Sequence, residues 1–308
     1  MILCCGEALI DMIPTPTAEG RNGFVPHSGG AVFNTAIALG RLGRRAGMLT
    51  GLSEDFFGQQ LRAALMASHV DISLAITTSR PTTLAFVKLV EGHASYSFFD
   101  ENSAGRMLVP GDMPPLPPDV CALFFGGISL ACEPCADAYA ALLAREGDGR
   151  AIMLDPNIRP DFISDPARYR DRLKTMLAAA DIVKVSDEDL NWIVPEPLPL
   201  TEKARLLLSR GSALVVITKG GDGASGFHAN GISVDVSAQA AEIVDTVGAG
   251  DTFNAGLLAR LSEEGTLTKG GIRDLSADTL EDALRHGARV AAITVGRAGP
   301  NPPWAAEL

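Results

Sequence analysis

Along this chain, short runs of apolar residues alternate with longer stretches in which apolar positions recur every three or four residues. The short runs are 2–5, 47–51, 122–125, 152–154, 182–185 and 214–218, most of them bounded by Gly or Asp. Continuous hydrophobicity over a few residues marks a strand buried on both faces. The stretches 31–42, 57–66, 136–143, 169–179 and 202–208 carry helical spacing and fall between or after those strands. This alternation predicts an α/β fold: a doubly wound, mostly parallel sheet with helices on both faces.

Two segments break the pattern. Residues 14–27 are rich in Pro, Gly and polar side chains. Residues 82–99 read as a hairpin, with strands at 84–90 and 94–99 and a turn at Glu91-Gly92-His93. Within it Tyr96 and Phe98 alternate with Ser95 and Ser97, the period of a half-exposed strand. Neither piece fits a buried parallel sheet. They are expected to form a small β-flap, or lid, over the sheet's ligand edge, spanning about 12–27 and 82–105 of a single domain that takes in 1–308. Two separate surface hairpins would give the same pattern. No internal repeat stands out, and the Pro-rich loops at 110–118 and 195–199 are too short to be flexible linkers.

Composition narrows the function. The 308 residues are 46% hydrophobic and 20% charged, an ordinary globular balance. A net charge of −11 and a pI near 4.9 argue against nucleic acid or a membrane surface as partner. An anionic ligand must then be held by local amides, a metal or single basic residues. The N-terminus lacks the basic residues of a secretory signal, and the longest apolar stretch, about 120–132, is too short to span a bilayer. Cys4, Cys5 and Cys121 lie in apolar strand-like runs and are expected to be buried thiols. Cys132 and Cys135 have C-x-x-C spacing without a second pair, which reads as two unpaired thiols. A reducing cytoplasm fits this usage.

The densest chemistry lies at Asp245-Thr246-Val247-Gly248-Ala249-Gly250-Asp251-Thr252-Phe253. Ile243-Val244 reads as a strand end, and Phe253, Leu257, Leu258 and Leu261 give the following run an apolar helical face. The first turn of a helix has unpaired N–H groups and a partial positive charge. With Gly at 248 and 250, no side chain keeps an anion from them. Asp251 puts a carboxylate within reach of an attacking hydroxyl. An anion cradle with an adjacent base is the minimum equipment for phosphoryl transfer to an alcohol. A dinucleotide fingerprint is rejected, because its third small residue is Phe253 here and the site lies near the C-terminus.

Other residues could complete such a site. Gly29-Gly30 opens a second helix, with Asn34 in its first turns; the Asn could hold a polyol or cap the helix. Asp11 reads as the end of the first strand region, facing the crevice of a doubly wound sheet. Arg159 follows the strand ending at Asp155 and offers a fork of donors. Thr218, Gly220 and Gly223 belong to a glycine loop placed for a nucleotide. No P-loop, zinc-site spacing or serine nucleophile elbow is present in the sequence.

The two glycine-led segments, 29–36 and 245–253, resemble the paired signatures of the ribokinase-like, phosphofructokinase-B-type carbohydrate kinases, in the order and at the ends of the chain where that family has them. The similarity runs from Gly6 to about Pro303. Gly6-Glu7-Ala8-Leu9-Ile10-Asp11, Pro81-Thr82-Thr83-Leu84-Ala85-Phe86-Val87 and Asp155-Pro156-Asn157-Ile158-Arg159 resemble bacterial fructokinases more narrowly. The resemblance implies ATP-dependent transfer to the 6-hydroxyl of fructose. It makes Asp251 the base and the amides of Ala249, Gly250 and Asp251 the anion hole behind Gly248. Asp11, Gly29, Gly30 and Asn34 would hold the sugar with Arg159 nearby, and Thr218, Gly220 and Gly223 would line the ATP site. It also implies Mg2+, and K+ close to Asp245. Many family members carry N-x-x-E, linked to magnesium, where this chain has Ser186-Asp187-Glu188-Asp189, so Asp189 stands one methylene short of the glutamate. Ala104-Gly105-Arg106 lacks an acid that fructokinases often carry there. The lid's strand edges imply a homodimer through the lid. A kinase for 2-keto-3-deoxygluconate or another sugar, and a non-catalytic sugar or nucleotide sensor, are the rivals; a nucleoside kinase is less favoured.

Overall fold

The computed structural model describes residues 1–90 and 93–308, and only the backbone of 88–90 and 93–96. The expected turn at Glu91-Gly92 and the side chains of Ser95 and Tyr96 lie outside this description. The chain runs β1 (Ile2–Cys5), β2 (Leu9–Pro16), β3 (Asn22–Gly29), α1 (Ala31–Arg41), β4 (Ala46–Leu49), β5 (Gly51–Ser53), α2 (Phe56–Ala67), β6 (Val70–Asp71), β7 (Ile76–Thr78), β8 (Leu84–Val90) and β9 (His93–Phe99). It continues through β10 (Ala122–Gly126), α3 (Cys135–Glu146), β11 (Ala151–Asp155), α4 (Pro166–Ala179), β12 (Ile182–Ser186), α5 (Asp187–Ile193), α6 (Leu200–Leu208) and β13 (Leu214–Thr218). It ends with β14 (Ala224–His228), β15 (Ser233–Val236), α7 (Ala249–Glu263), α8 (Lys269–Arg273) and α9 (Ala277–Val295).

Nine strands form the central sheet in the order β15-β14-β13-β12-β11-β10-β1-β4-β6. All neighbours are parallel except the β13–β14 and β14–β15 pairs. The apolar runs bury both faces because alternate residues point to opposite sides. Ile2, Cys4, Phe124, Met153, Ile182, Leu214 and Val216 join the cluster that includes residues of α1, α7 and α9. Leu3, Cys5, Leu123, Phe125, Leu154, Val183, Val215 and Ile217 join the cluster that includes residues of α3, α4 and α6. This is the doubly wound arrangement that the alternation predicts.

Strand order reverses at β1, with β4 on one side and β10 on the other. In such sheets the crevice at the carboxyl ends of the strands is where ligands bind. The residues ending or following β1, β10, β11, β12 and β13 are Glu7, Gly127, Asp155, Ser186 and Thr218, and all five line one cleft.

The two segments that break the alternation form one structure, not two hairpins. They make a four-stranded sheet in the order β3-β2-β8-β9, with β2 and β8 parallel. Its pleat separates two faces. Asp11, Ala85 and Phe98 are cross-strand neighbours on one face, and Asp11 and Phe98 line the cleft. The other face carries Met12, Phe24, Phe86 and Phe99.

Several expectations are corrected. Asp11 does not end the first central strand: β1 stops at Cys5, and Asp11 is the third residue of lid strand β2. Ile243-Val244 is no strand end but an exposed loop, 70% and 59% accessible. Cys121 is exposed, just ahead of β10, where its thiol meets the N-terminal residue instead of the core; Cys4 and Cys5 are buried. All five cysteines are unpaired, Cys132 and Cys135 included. The longest helix, α9, is not among the elements singled out by the sequence pattern.

Candidate active site

The site is built on the start of α7. Gly248 caps the helix at φ +79°, a left-handed conformation unfavourable for a residue with a side chain. A Cβ there would also stand 2.6 Å from Pro300 Cβ. This turn brings the first N–H groups of α7 to the floor of the cleft. Among the described residues, the N–H groups of Gly250 and Asp251 find no acceptor, whereas that of Ala249 is turned toward Thr246 O at 3.3 Å. Two of the three expected anion-hole amides therefore stand free, at the positive end of a fifteen-residue helix.

Asp251 lies on the buried side of the same turn. Asn34 Nδ2 donates to its Oδ2 at 2.9 Å, and Thr35 Oγ1 donates to its backbone carbonyl at 3.1 Å. Asn34 is thus not a helix cap. It joins α1 to α7 across 217 residues and fixes the carboxylate. Burial pushes Asp251 from the ordinary 3.8 up to about 7; the charges of Asp155 and Glu7 add to the rise, while the Asn34 bond and Lys184 oppose it. A carboxylate titrating near neutrality is matched to taking a hydroxyl proton.

Above this floor stand Asp11, from the lid, and Gly30 at the start of α1, both lining the cleft of about 520 Å³. Gly29 makes room for Asp11, since a Cβ on it would collide with Oδ2. Burial raises Asp11 to about 6. Arg159 lines the same cleft; its Nη1 donates to the carbonyl of Ile158 at 3.0 Å. Phe98 of the lid meets Phe162 edge to face, with ring centroids 4.1 Å apart, joining lid to body on this side.

A second pocket, of about 300 Å³, adjoins the first through Thr218, Thr246, Ala249 and Gly250. Gly220, Gly223, Ala292 and Val295 line it, so its walls are mainly glycine backbone and small apolar side chains. That shape suits a flat heterocycle with phosphates running toward the α7 amides.

The pfkB family carbohydrate kinase profile matches residues 1–307. This chain belongs to that family. It is 52% identical over 287 residues to a fructokinase of Rhizobium leguminosarum bv. trifolii, covering 93% of this chain and 86% of the relative. Among solved structures, the fructokinase of Xylella fastidiosa with bound ATP superposes at a TM-score of 0.88 with 25% identity, over 97% of this chain and 93% of that one. A double mutant of the Vibrio cholerae O395 fructokinase, bound to fructose, ADP and potassium ion, gives a TM-score of 0.83 with 26% identity and the same coverage.

Two residues of the site escape the motif-based reading. Glu7 is buried at the carboxyl end of β1; its Oε1 accepts from Ala31 N at 3.0 Å and its Oε2 from Ser129 N at 3.3 Å. It caps α1 and so steadies Gly29, Gly30 and Asn34. Lys184 lies within β12 and forms a buried ion pair with Asp155 at 3.0 Å. A charge inside an otherwise apolar run is the signal for both.

The residues implied for cations can be placed. Asp189 is held by Ile158 N, which donates to Oδ1 at 3.1 Å, and burial raises it to about 6. With Glu188 it lines the cleft. No group of three or more potential metal ligands occurs among the described residues. Asp245 accepts from Val247 N at 3.0 Å and Gly299 N at 2.9 Å, so its carboxylate ties the approach to α7 to the 299 turn.

Proposed function

We propose that this kinase transfers the γ-phosphoryl group of ATP to the 6-hydroxyl of D-fructose. The observation that carries it is the buried Asp251 carboxylate, fixed by Asn34, on the same helix turn as two free N–H groups. The 52% identity to a fructokinase supports fructose as the acceptor. Fructose would lie between Asp11, Gly30 and Asn34 under the lid. Asp251 accepts the hydroxyl proton as the oxygen attacks phosphorus, and the N–H groups of Gly250 and Asp251 hold the charge on the transferring group. The lid face bearing Asp11 and Phe98 keeps water out, which suppresses ATP hydrolysis.

Mg2+ keeps several of its waters and takes few protein carboxylates besides substrate phosphates, so Asp189 on the cleft wall would hold it indirectly, through water, with Glu188 beside it. When bound, it would neutralise phosphate charge. K+ would sit beside Asp245, whose carboxylate already orders the loop leading to the anion hole. A homodimer through the lid is supported by its outer face. There Phe24 and Phe86 lie 5.1 Å apart and Phe86 and Phe99 5.4 Å, with Phe24 and Phe99 46% and 58% exposed. Such an aromatic row is unfavourable in water. The unit is read as one kinase domain with its lid, working in the cytoplasm, as five free thiols suggest. No helix among the described residues is long and apolar enough to cross a membrane.

The test is ADP release over a panel of fructose, 2-keto-3-deoxygluconate, ribose, glucose and adenosine, with and without Asp251→Asn. Turnover on fructose that falls by about 10²–10⁴ in the variant is expected. Turnover on another sugar alone would replace fructose, and unchanged turnover in the variant would remove Asp251 as the base.

A further inference from the structure

Proton transfer to Asp251 and charge stabilisation by the α7 amides leave Lys184, a buried cation on the cleft wall, without a task. Lys184 is 4% exposed, and its neighbours Val183 and Val185 are fully buried. An ammonium in such a place is strongly unfavourable unless its charge and its N–H groups are partnered. Among the described residues it has one acceptor, Asp155 Oδ2 at 3.0 Å. Asn254 Nδ2 donates to that same oxygen at 2.7 Å. The carboxylate oxygen is thus shared, and two of the three ammonium N–H donors are unused. The group also lines the cleft. A Cβ built on Gly250 would stand 3.2 Å from Nζ, so only a glycine at 250 gives the ammonium uncrowded access to the first turn of α7. A buried cation with unused donors, beside two free N–H groups, makes an anion site of three donor groups in a chain of net charge −11.

We propose that Lys184 is a catalytic residue: its ammonium contacts the transferring phosphoryl group from beneath the anion hole, and Asp155 and Asn254 hold it there. This rests on the phosphoryl-transfer reading above. In that step a bond forms between the acceptor oxygen and the γ-phosphorus, and the bond from phosphorus to the β,γ-bridging oxygen breaks. The electron pair leaves on ADP, and the acceptor proton passes to Asp251. Negative charge spreads over the three equatorial oxygens as this happens. A lysine acts there as a fixed point charge, pre-oriented by its ion pair so that little reorganisation is needed.

A structural alternative is that Lys184 only neutralises Asp155 between β11 and β12. Two variants separate these. Lys184→Met removes the ammonium, and Lys184→Met with Asp155→Asn removes both charges, so the second leaves no unpaired buried carboxylate. Contact with the phosphoryl group predicts kcat lowered by about 10²-fold in both, with the fructose KM within threefold of the parent. Calorimetry of ADP with magnesium, with and without fluoroaluminate and no sugar, gives an independent reading. The parent should bind ADP more tightly with fluoroaluminate, and Lys184→Met should lose that gain while binding ADP alone normally. Recovery of kcat to within threefold in the double variant, or an equal or absent fluoroaluminate gain in the two proteins, overturns the proposal. A parent that fails on fructose but shows the fluoroaluminate difference removes the substrate reading and keeps Lys184.

Discussion

Asp251 should make the folded protein less stable in order to serve the reaction, and the size of that effect follows from its burial. Its carboxyl titrates near 7 in the folded chain against an ordinary 3.8. Because the folded value is the higher one, the group's contribution to stability is fully present below about pH 3.8 and is lost as pH rises to about 7. At 1.36 kcal/mol per pH unit, the shift corresponds to about 4 kcal/mol at pH 8 and about 2 kcal/mol at pH 5. Asp251→Asn keeps an acceptor for Asn34 and removes the charge. The variant should therefore gain stability relative to the parent, by several times more at pH 8 than at pH 4, up to about 4 kcal/mol. Glu7, Asp11 and Asp189 are also raised by burial, but they are common to both proteins and cancel in the difference. Urea unfolding of both proteins at pH 4, 5, 6.5 and 8 measures it, with unchanged m-values showing a common unfolded state. A variant that is equally stable or less stable at pH 8, or whose advantage does not grow with pH, refutes the reasoning. The same variant should be nearly inactive, an exchange of activity for stability common at functional sites.

Three further outcomes are expected. Asn34→Ala removes a hydrogen bond to a carboxylate, worth about 1.5–3 kcal/mol, so the acidic midpoint of kcat/KM should move upward from near 7 by about one to two units; a pH–rate profile with an unmoved midpoint contradicts the role of Asn34. Gly29→Ala pushes against Asp11 Oδ2 and should raise the fructose KM at least tenfold with a smaller change in kcat, read by steady-state kinetics. Phe24→Ser with Phe99→Ser should convert a dimer to a monomer in light scattering, and a parent that is already monomeric ends the lid-dimer reading.

The central fold was legible because it rests on local pattern. Runs such as 152–154 and 182–185 are too apolar for an exposed surface, and their alternation with helical stretches admits few topologies. The anion cradle was legible for a similar reason, since free N–H groups at a helix start and glycines beside them are properties of consecutive residues. What escaped was whatever depends on distant partners. Ile243-Val244 looks like a strand by composition but has no strand beside it, and Cys121 looks buried but lies by the chain's own N-terminus. Asp11 belongs to the lid because β2 pairs with β3 and β8 rather than with the central sheet.

By itself, then, the sequence determined the alternating layers, the glycine-led helix starts and the identity of the acid at the second of them. Only the tertiary structure decided that β2, β3, β8 and β9 share one lid sheet, that Asn34 reaches Asp251, and that Lys184, Asp155 and Asn254 meet beneath the anion hole. The physical reason is the range of the forces. Backbone conformation and burial periodicity are set within a turn or a strand. The protonation of Asp251 is instead set by how much water is excluded and which charges are brought near, and those come from residues tens to hundreds of positions away.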